Sequence, residues 1–498
     1  MYDKTLISTA QGKVQGKTEN GICTWKGIPY AKAPIKDLRF RAPEAIDKWE
    51  GIKETTTYAP SSPQIGTEEL NGQISEDCLY LNIWSPFADE KKRPVMFWIH
   101  GGAYLTGSGS VSAYDGSILA KKGDVVVVTI NYRLGPFGFL YTKDLPGGDL
   151  IDTNIGHRDQ LAALNWVREN IFYFGGDPNN ITIFGESAGG ASVVNLLGSP
   201  LAKGLFHKAI AESPCSYPAV YDDKGKANYV TKKFFELLGI TDYKVDRLLE
   251  IPTQDIVKAS MQLVDEIAYI IPGTIAFQPI IGDDFLPEAA HVAIKNGNGS
   301  NVPLIIGSNE DEGTIFATMP APVMPVQEEQ MEIFLENNYS ERAAQIRAVY
   351  SDLPVSMQSI KMGGDVMIWH SVSTIAEAMQ NKSPTYLYRF RWSSDYLKKT
   401  GLGSFHSLEI PFVFGTTDAP ESKVMLNDAN IWEINAVTEI MQSRWLNFAH
   451  TSDPNGQKEP HWKPYECENR PVIVIDREIS YEYDIDSNYR EAWSEQSR

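Results

Sequence analysis

Short runs of apolar residues recur along the chain, and each run is bounded by small or polar residues. Three of these runs span residues 95–99, 125–130 and 181–184. Runs that are apolar at nearly every position are typical of strands that are buried on both faces of a sheet. Four further segments have the same character, and they are 206–212, 302–307, 386–390 and 471–476. The pattern therefore predicts a sheet whose central strands lie inside the protein.

A segment with helical spacing lies between two of these runs. Between residues 158 and 170, the side chains of Leu161, Leu164 and Val167 recur at the spacing of one helix face. Gly175 follows this segment, and glycine commonly ends a helix. Strands that alternate with helices build a mainly parallel sheet with helices on both faces, which is an α/β fold.

Two long stretches interrupt the alternation of strands and helices and have helical spacing instead. They span about residues 222–268 and 326–377. The chain contains no linker rich in Pro, Gly or Ser and no internal repeat. We therefore expect one domain over residues 1–498, in which both stretches are helical insertions that pack on the sheet.

The charge of the chain excludes several classes of partner. The 498 residues include 64 acidic and 45 basic residues, which gives a formal net charge of −19. Nucleic acids and anionic membranes bind basic surfaces, and the chain has no long run of Lys or Arg. No apolar stretch reaches the length of about 18 residues that a membrane helix needs. We expect a monomer without nucleic-acid or membrane partners.

The cysteines and the N-terminal segment indicate the compartment. Four cysteines are far apart in sequence, and they are Cys23, Cys78, Cys215 and Cys467. None forms a CxxC pair or another metal-ligand spacing, so we expect free thiols and no metal site. The N-terminal segment has neither the apolar core nor the cleavage site of a signal peptide. These features predict a cytoplasmic protein.

One short motif indicates nucleophilic chemistry. Residues 185–189 read Gly-Glu-Ser-Ala-Gly, which is the GxSxG pattern, and an apolar run precedes it. Residues 191–197 continue the motif as a predicted helix. A sharp turn between strand and helix strains the backbone of the nucleophile, and Gly185 and Gly189 avoid collisions around it. We predict Ser187 as the nucleophile; a glycine-rich turn with an incidental serine is the alternative.

A second glycine-rich turn could stabilise negative charge on a substrate. Gly101 and Gly102 follow another predicted strand, and without side chains their peptide N–H groups can approach a ligand closely. The N–H of Ala188, directly after the nucleophile, would be a third donor to the oxyanion of acyl transfer. The alternative is an ordinary turn at the end of a strand.

A serine nucleophile needs a base, and the base needs a carboxylate that orients it. In α/β-hydrolases the chain order is Ser, then acid, then His. Six histidines satisfy this order: His207, His291, His370, His406, His450 and His461. His406 lies in a loop of small residues, which suits a base above a sheet. Glu310, Asp311 and Glu312 follow the predicted strand 302–307, where catalytic loops gather, and their spacing does not choose between them.

Ordered motifs along almost the whole chain resemble the type-B carboxylesterase family, which includes cholinesterases and bacterial p-nitrobenzyl esterases. The motifs are residues 25–31, 75–82, 98–103, 131–135, 175–190, 311–313, 405–412 and 445–449. The resemblance implies an α/β-hydrolase fold with a twisted, mainly parallel sheet that is flanked by helices. It also implies that Glu312 is the triad acid and His406 the base that serve Ser187.

The same resemblance assigns further roles. Gly101, Gly102 and Ala188 match the oxyanion-hole positions of the family, and Glu186 matches a residue that shapes the site electrostatically. Two structural ion pairs of the family also have matching residues here, Arg39 with Glu76 and Arg133 with Asp159.

Several residues depart from the family pattern. Ser62 stands where many secreted relatives have the disulfide partner of the Cys78 position, so that disulfide is absent here. His157 replaces the leucine of a motif that otherwise matches. Pro214 and Cys215 replace the usual glycine and its neighbour beside the acyl pocket, so the acyl preference of relatives does not transfer.

The resemblance implies a serine carboxylesterase that hydrolyses short-to-medium-chain carboxylic esters through an acyl-enzyme, with neither metal nor organic cofactor. Its partner would be a small-molecule ester. A cholinesterase-like adhesion protein without catalysis is the alternative from another class. A narrower hydrolase of the same chemistry, such as a feruloyl esterase, lactonase or amidase, is a third.

Overall fold

The apolar runs form strands of one large sheet. The computed structural model describes residues 4–65, 73–215, 220–457 and 460–494. Within these ranges the strands are β1 (Leu6–Ser8), β2 (Lys13–Gln15), β3 (Lys17–Glu19), β4 (Ile22–Pro29), β5 (Ile52–Glu54), β6 (Tyr80–Ser85), β7 (Arg93–Ile99), β8 (Val126–Ile130), β9 (Gly176–Glu186), β10 (Lys208–Glu212), β11 (Leu304–Asn309), β12 (Thr385–Phe390), β13 (Pro471–Ile475) and β14 (Ile479–Tyr483). All seven predicted strands are present.

The helices lie between and after these strands. In the described part of the chain they are α1 (Ser117–Gly123), α2 (Gly135–Phe139), α3 (Ile155–Asn170), α4 (Ala188–Gly198), α5 (Lys224–Leu237), α6 (Val245–Leu248), α7 (Thr253–Ile270), α8 (Ala290–Asn296), α9 (Glu328–Tyr339), α10 (Ala343–Val349), α11 (Val355–Gly364), α12 (His370–Met379), α13 (Asp395–Thr400), α14 (Ile410–Phe414), α15 (Pro420–Met425), α16 (Ile431–Thr451) and α17 (Ser487–Trp493). A π-helical turn, Asp365–Trp369, joins α11 to α12. No helix among these residues is long and apolar enough to cross a membrane.

The centre of the sheet is parallel and its edges are antiparallel. Across the described residues the strand order is β14-β13-β12-β11-β10-β9-β7-β8-β6-β4-β3, while β1, β2 and β5 form a small separate sheet. The strands from β13 to β8 pair in parallel. β14 at one edge and β6, β4 and β3 at the other pair antiparallel. The prediction of a mainly parallel sheet is confirmed.

Two apolar clusters cover the two faces of the sheet. On β7 the side chains of Val95 and Phe97 belong to one cluster, and those of Met96 and Trp98 belong to the other. Successive side chains of a strand point to opposite faces, so each cluster lies on its own face. α3 and α4 contribute to the first cluster and α16 contributes to the second. Helices therefore cover both faces, as predicted.

The predicted helices are present, with different ends. The segment 158–170 lies in α3, which begins three residues earlier. After α3 a 3-10 turn, Ile171–Phe174, continues to Gly175, whose φ of 87° closes it. The α-helix therefore ends before the predicted glycine. The stretch 222–268 contains α5, α6 and most of α7, and 326–377 contains α9, α10, α11 and most of α12.

The cysteines are free thiols, as predicted. Cys23, Cys78 and Cys215 are buried, and Cys467 is partly buried. The Cys78 thiol is hydrogen-bonded to Ser62. Burial raises the pKa of Cys78, which keeps the thiol protonated and unreactive.

The strand register brings four loops to one edge of the sheet. Gly185 of β9 pairs with Ile99 of β7, and Glu186 of β9 pairs with Glu212 of β10. Glu212 pairs in turn with Gly307 of β11. Because these strands are parallel, the loops that follow their carboxyl ends meet above the same edge.

Candidate active site

The turn between β9 and α4 holds Ser187 in a strained backbone conformation. Its φ of 57° and ψ of −121° lie outside the regions that residues with side chains commonly adopt. The peptide N–H of Ser187 donates to the carbonyl oxygen of Glu212 at 2.9 Å. A Cβ atom at Gly185 or Gly189 would lie 2.6 or 2.0 Å from the carbonyl oxygen of Ile99. Glycine is required at both positions, because the neighbouring strand β7 leaves no room for a side chain.

A histidine and a glutamate meet on two other loops. Nδ1 of His406 and Oε2 of Glu312 are 2.6 Å apart. The other oxygen of Glu312 accepts hydrogen bonds from the Ser213 hydroxyl at 2.7 Å and from the peptide N–H of Asn309 at 2.6 Å. His406 and Glu312 are 7% and 5% exposed. The carboxylate is held at both oxygens and directs the imidazole ring.

The structure separates the three neighbouring acids that the residues alone left open. Glu310 lies 3.2 Å from Nη1 of Arg389. Oδ2 of Asp311 accepts the peptide N–H of Ser404 at 2.9 Å, so it fastens the loop that leads to the histidine. Only the third acid of the turn, Glu312, is turned toward the histidine.

The predicted oxyanion-hole residues Gly101, Gly102 and Ala188 follow β7 and β9 within three residues of the strand ends. The N–H groups of Gly101, Gly102 and Ala188 donate to no acceptor within the described ranges. Gly102 has a φ of 102°, and a Cβ there would lie 2.3 Å from the carbonyl oxygen of Thr106. A Cβ at Gly101 would lie 3.0 Å from Cβ of Ser187. Free donors beside the serine are the arrangement that an oxyanion hole requires.

Glu186 lies beside the imidazole. Its Oε1 is 3.1 Å from Nε2 of His406 and accepts a hydrogen bond from the Ser407 hydroxyl at 2.5 Å. Nε2 has no partner with hydrogen-bond geometry among the described residues. Burial raises the pKa of Glu186. Burial alone lowers the pKa of His406, but the charges of Glu186 and Glu312 outweigh it and raise that pKa to about 9.

Four residues that hold the site did not emerge from the sequence: Glu212, Ser213, Asn309 and Ser407. Glu212 is buried, accepts a hydrogen bond from Nε1 of Trp445 at 2.7 Å, and has its pKa raised to about 8 by burial. Three of the four lie at or within two residues of the end of a predicted strand. Their position at the carboxyl ends of parallel strands was the available signal.

Both expected structural ion pairs are present. Nη2 of Arg39 is 2.8 Å from Oε1 of Glu76, and Nη2 of Arg133 is 2.6 Å from Oδ1 of Asp159. The second pair is almost completely buried. No group of three or more potential metal ligands occurs in the part of the chain that the structure describes.

Comparison with known proteins agrees with this geometry. The Carboxylesterase family model matches residues 3–493. The para-nitrobenzyl esterase of Bacillus subtilis (strain 168) is 41% identical over 499 residues, which cover 98% of each chain. The phenmedipham hydrolase of Pseudarthrobacter oxydans is 30% identical and covers 95% of this chain and 96% of its own.

A solved structure agrees as well. A thermophilic PNB esterase superposes with a TM-score of 0.88 at 39% sequence identity, covering 99% of this chain and all of its own. The expected α/β-hydrolase fold and the resemblance read from the motifs are both confirmed. The chain belongs to the carboxylesterase family.

Proposed function

We propose that this carboxylesterase hydrolyses short-to-medium-chain esters with Ser187 as nucleophile, His406 as general base and Glu312 as the orienting acid. The observation that carries the proposal is the 2.6 Å contact between His406 and Glu312 on the sheet edge that also bears Ser187. The unpartnered Nε2 of His406 is the atom that would accept the serine proton.

The reaction follows from these positions. Nε2 of His406 takes the hydroxyl proton while Oγ of Ser187 attacks the ester carbonyl carbon. The oxyanion accepts hydrogen bonds from the N–H groups of Gly101, Gly102 and Ala188. When the carbonyl re-forms, the C–O bond breaks and the imidazolium protonates the departing alcohol. Water then attacks the acyl-serine with the same base, which releases the acid and restores the serine.

Glu312 supports the base through both of its oxygens. Oε2 accepts Nδ1–H of His406, which fixes the tautomer whose Nε2 is free to take a proton. The hydrogen bonds from Ser213 and Asn309 to Oε1 hold the carboxylate in place. The negative charge stabilises the imidazolium that forms in both halves of the reaction. The scheme requires no metal or organic cofactor.

The substrate class rests on the family. The short-to-medium acyl length is what the resemblance to the family implies. One relative is a para-nitrobenzyl esterase and another is a phenmedipham hydrolase. We propose a small-molecule carboxylic ester as the substrate. Turnover of p-nitrophenyl esters of increasing acyl length tests this, and good hydrolysis of emulsified long-chain triglycerides would contradict it.

Replacement of Ser187 by Ala tests the nucleophile. The variant should lose at least about 10³-fold in kcat on p-nitrophenyl butyrate, because no acyl-enzyme can form. It should also fail to react with a fluorophosphonate probe that labels the unaltered enzyme. Ser351→Ala, at an exposed serine, is the matched control and should retain full activity. Activity that persists in Ser187→Ala with an intact fold would refute the assignment.

We also propose that residues 1–498 form one hydrolase domain in which 222–268 and 326–377 are helical insertions. The protein would be a cytoplasmic monomer. The free cysteines of the described residues support a reducing compartment, and the net charge of −19 disfavours self-association. Light scattering measures the mass in solution, and a dimer mass would contradict the monomer.

A further inference from the structure

Asn309 connects the loop of the candidate acid to the loop of the candidate base. It is the last residue of β11 and is 1% exposed. Its peptide N–H donates to Oε1 of Glu312 at 2.6 Å. Its side-chain Nδ2 donates to the carbonyl oxygen of Phe405 at 2.7 Å and to Oε2 of Glu409 at 2.6 Å. One residue thus contacts the acid, the residue before the base, and the buried carboxyl of Glu409.

The chemistry of these partners fixes the orientation of the amide. The carbonyl oxygen of Phe405 can only accept a hydrogen bond, so the NH₂ group of Asn309 must face it. Both hydrogens of that NH₂ group are used, one for Phe405 and one for Glu409. Oε2 of Glu409 is therefore an acceptor, which leaves Oε1 as the oxygen that can carry a proton.

The surroundings of Glu409 favour a neutral carboxyl. The side chain is completely buried, and its Oε1 has no partner among the described residues. The groups with the largest electrostatic effect on it are the carboxyls of Glu186, Glu212 and Glu312. The hydroxyl of Tyr388 on β12 lies in the same charge environment and is likewise unpartnered. Burial and these carboxyls raise the pKa of Glu409 well above its usual range.

His406 lies three residues before Glu409 and is the cation that forms during catalysis. Glu312 already accepts Nδ1–H of His406, and Glu186 lies beside its Nε2. A negative charge on Glu409 would add a third attraction to the imidazolium and oppose its return to the free base. A neutral Glu409 avoids this effect and still accepts the hydrogen bond from Asn309.

We propose that Asn309 and a neutral Glu409 form a positioning pair, which sets the contact between His406 and Glu312 without adding charge to it. Asn309 holds the carbonyl of Phe405, so the backbone that carries His406 is tied to the end of β11, three residues before Glu312. Glu409 holds the amide in place. The inference rests on the catalytic assignment proposed above and adds to it the means by which acid and base are aligned.

Asn309→Ala tests the positioning role. The variant keeps the peptide N–H bond to Glu312 and loses both side-chain bonds. We expect kcat for p-nitrophenyl butyrate, per active site titrated with an organophosphate, to fall by about tenfold or more, with KM changed by less than about threefold. The pKa of the acid limb of kcat/KM should also fall, because His406 then loses part of its contact with Glu312.

Ser308→Ala is the matched control. Ser308 precedes Asn309 on β11, is completely buried, and its hydroxyl has no partner among the described residues. This variant should have the same kcat per titrated active site as the unaltered enzyme, and the acid limb of its kcat/KM profile should lie at the same pH. A purely structural role of Asn309 would lower the active fraction and the melting temperature but leave kcat per titrated site and the acid limb unchanged. That result would overturn the proposal.

Two substitutions at Glu409 test its charge state. Glu409→Gln keeps an acceptor for Asn309 and is neutral, so kcat should stay within about twofold and the acid limb should not move. Glu409→Ala removes the acceptor and should reproduce the kcat defect of Asn309→Ala. If Glu409 were ionised, Glu409→Gln would shift the acid limb to lower pH, and a shift of that kind would overturn the neutral assignment.

Failure of the catalytic assignment would look different from failure of this inference. If Ser187→Ala still hydrolysed the ester although the fluorophosphonate probe no longer labelled it, the triad assignment itself would be wrong. If Ser187→Ala is inactive but Asn309→Ala equals the unaltered enzyme, only the positioning pair is wrong.

Discussion

The contact between Glu186 and His406 predicts where the acid limb of the pH profile lies. The base must be neutral to accept the serine proton, so kcat/KM rises as the pH passes the pKa of His406. That pKa is raised to about 9 because the charges of Glu186 and Glu312 outweigh burial. Glu186→Gln removes one of these charges and keeps an oxygen that can accept from Ser407. The imidazolium becomes less stable, and the acid limb should move to lower pH.

The 3.1 Å separation of Oε1 from Nε2 gives the magnitude. Two unit charges at that distance attract by ~1 kcal/mol in a water-like medium and by ~5 kcal/mol at an effective dielectric constant of about 20. At about 1.4 kcal/mol per pKa unit, this range corresponds to roughly one to four units. Burial also raises the pKa of Glu186, so it carries less than a full charge at low pH. We expect a downward shift of about one to two units.

The assay is kcat/KM for p-nitrophenyl butyrate across the pH range, because this ratio reports the pKa of the free enzyme. Glu332→Gln is the control, since Glu332 pairs with Arg347 at a half-exposed position, and its profile should match that of the unaltered enzyme. An acid limb that stays in place in Glu186→Gln, or that moves to higher pH, would refute the electrostatic reasoning.

Two further predictions concern stability. Burial lowers the pKa of His157 to about 3. Below about pH 6.5 the unfolded chain therefore binds a proton at this residue that the native state does not bind, and the unfolding free energy decreases as the pH is lowered. His157→Leu should therefore lose less unfolding free energy between pH 7 and pH 5, by about 2 kcal/mol in urea titrations, and an equal loss in both proteins would contradict this. Burial raises the pKa of Glu212 to about 8, so the native state keeps a proton that the unfolded chain releases above about pH 4.5, and stability falls as the pH rises toward 8. Glu212→Gln keeps an acceptor for Trp445 and should melt at a higher temperature than the unaltered enzyme near pH 8, but not near pH 5; a lower melting temperature near pH 8 would count against the reasoning.

The parts of the fold that the sequence predicts are those with the strongest burial. Every residue of β7, β8 and β11 is buried, and this produces the continuous apolar runs from which the central strands were predicted. The edge strands β3 and β14 are mostly exposed or half-buried. Because these residues are in contact with solvent, they resemble loop residues in composition and form no apolar run. Hydrophobic periodicity therefore does not reveal these two strands.

The residues of the site also differ in how far the sequence alone predicts them. Ser187 is predictable because its turn needs glycine on both sides, a local requirement that is written in five consecutive residues. The choice of Glu312 over Glu310 and Asp311 is not local, because the turn after β11 points the three acids toward three different partners. Here the family resemblance named the residue, and side-chain direction gives the physical reason.

Neither the local sequence pattern nor the family resemblance identifies the role of Asn309. Its partners Phe405 and Glu409 are about a hundred positions away along the chain, and they come close to it through the pairing of β11 with β12 and the bridge between Asp311 and Phe405. An amide in a strand end carries no pattern that distinguishes a linking role from an ordinary buried position.

The parallel order of the central strands has a consequence for folding. The candidate nucleophile, acid and base follow β9, β11 and β12, and long stretches of chain separate these strands. Parallel pairing closes large loops and is slow compared with helix formation or hairpin closure. During refolding from urea, helical circular dichroism should therefore return well before the ability to hydrolyse an ester. Esterase activity is thus a late and selective reporter of native sheet register, available without any added label.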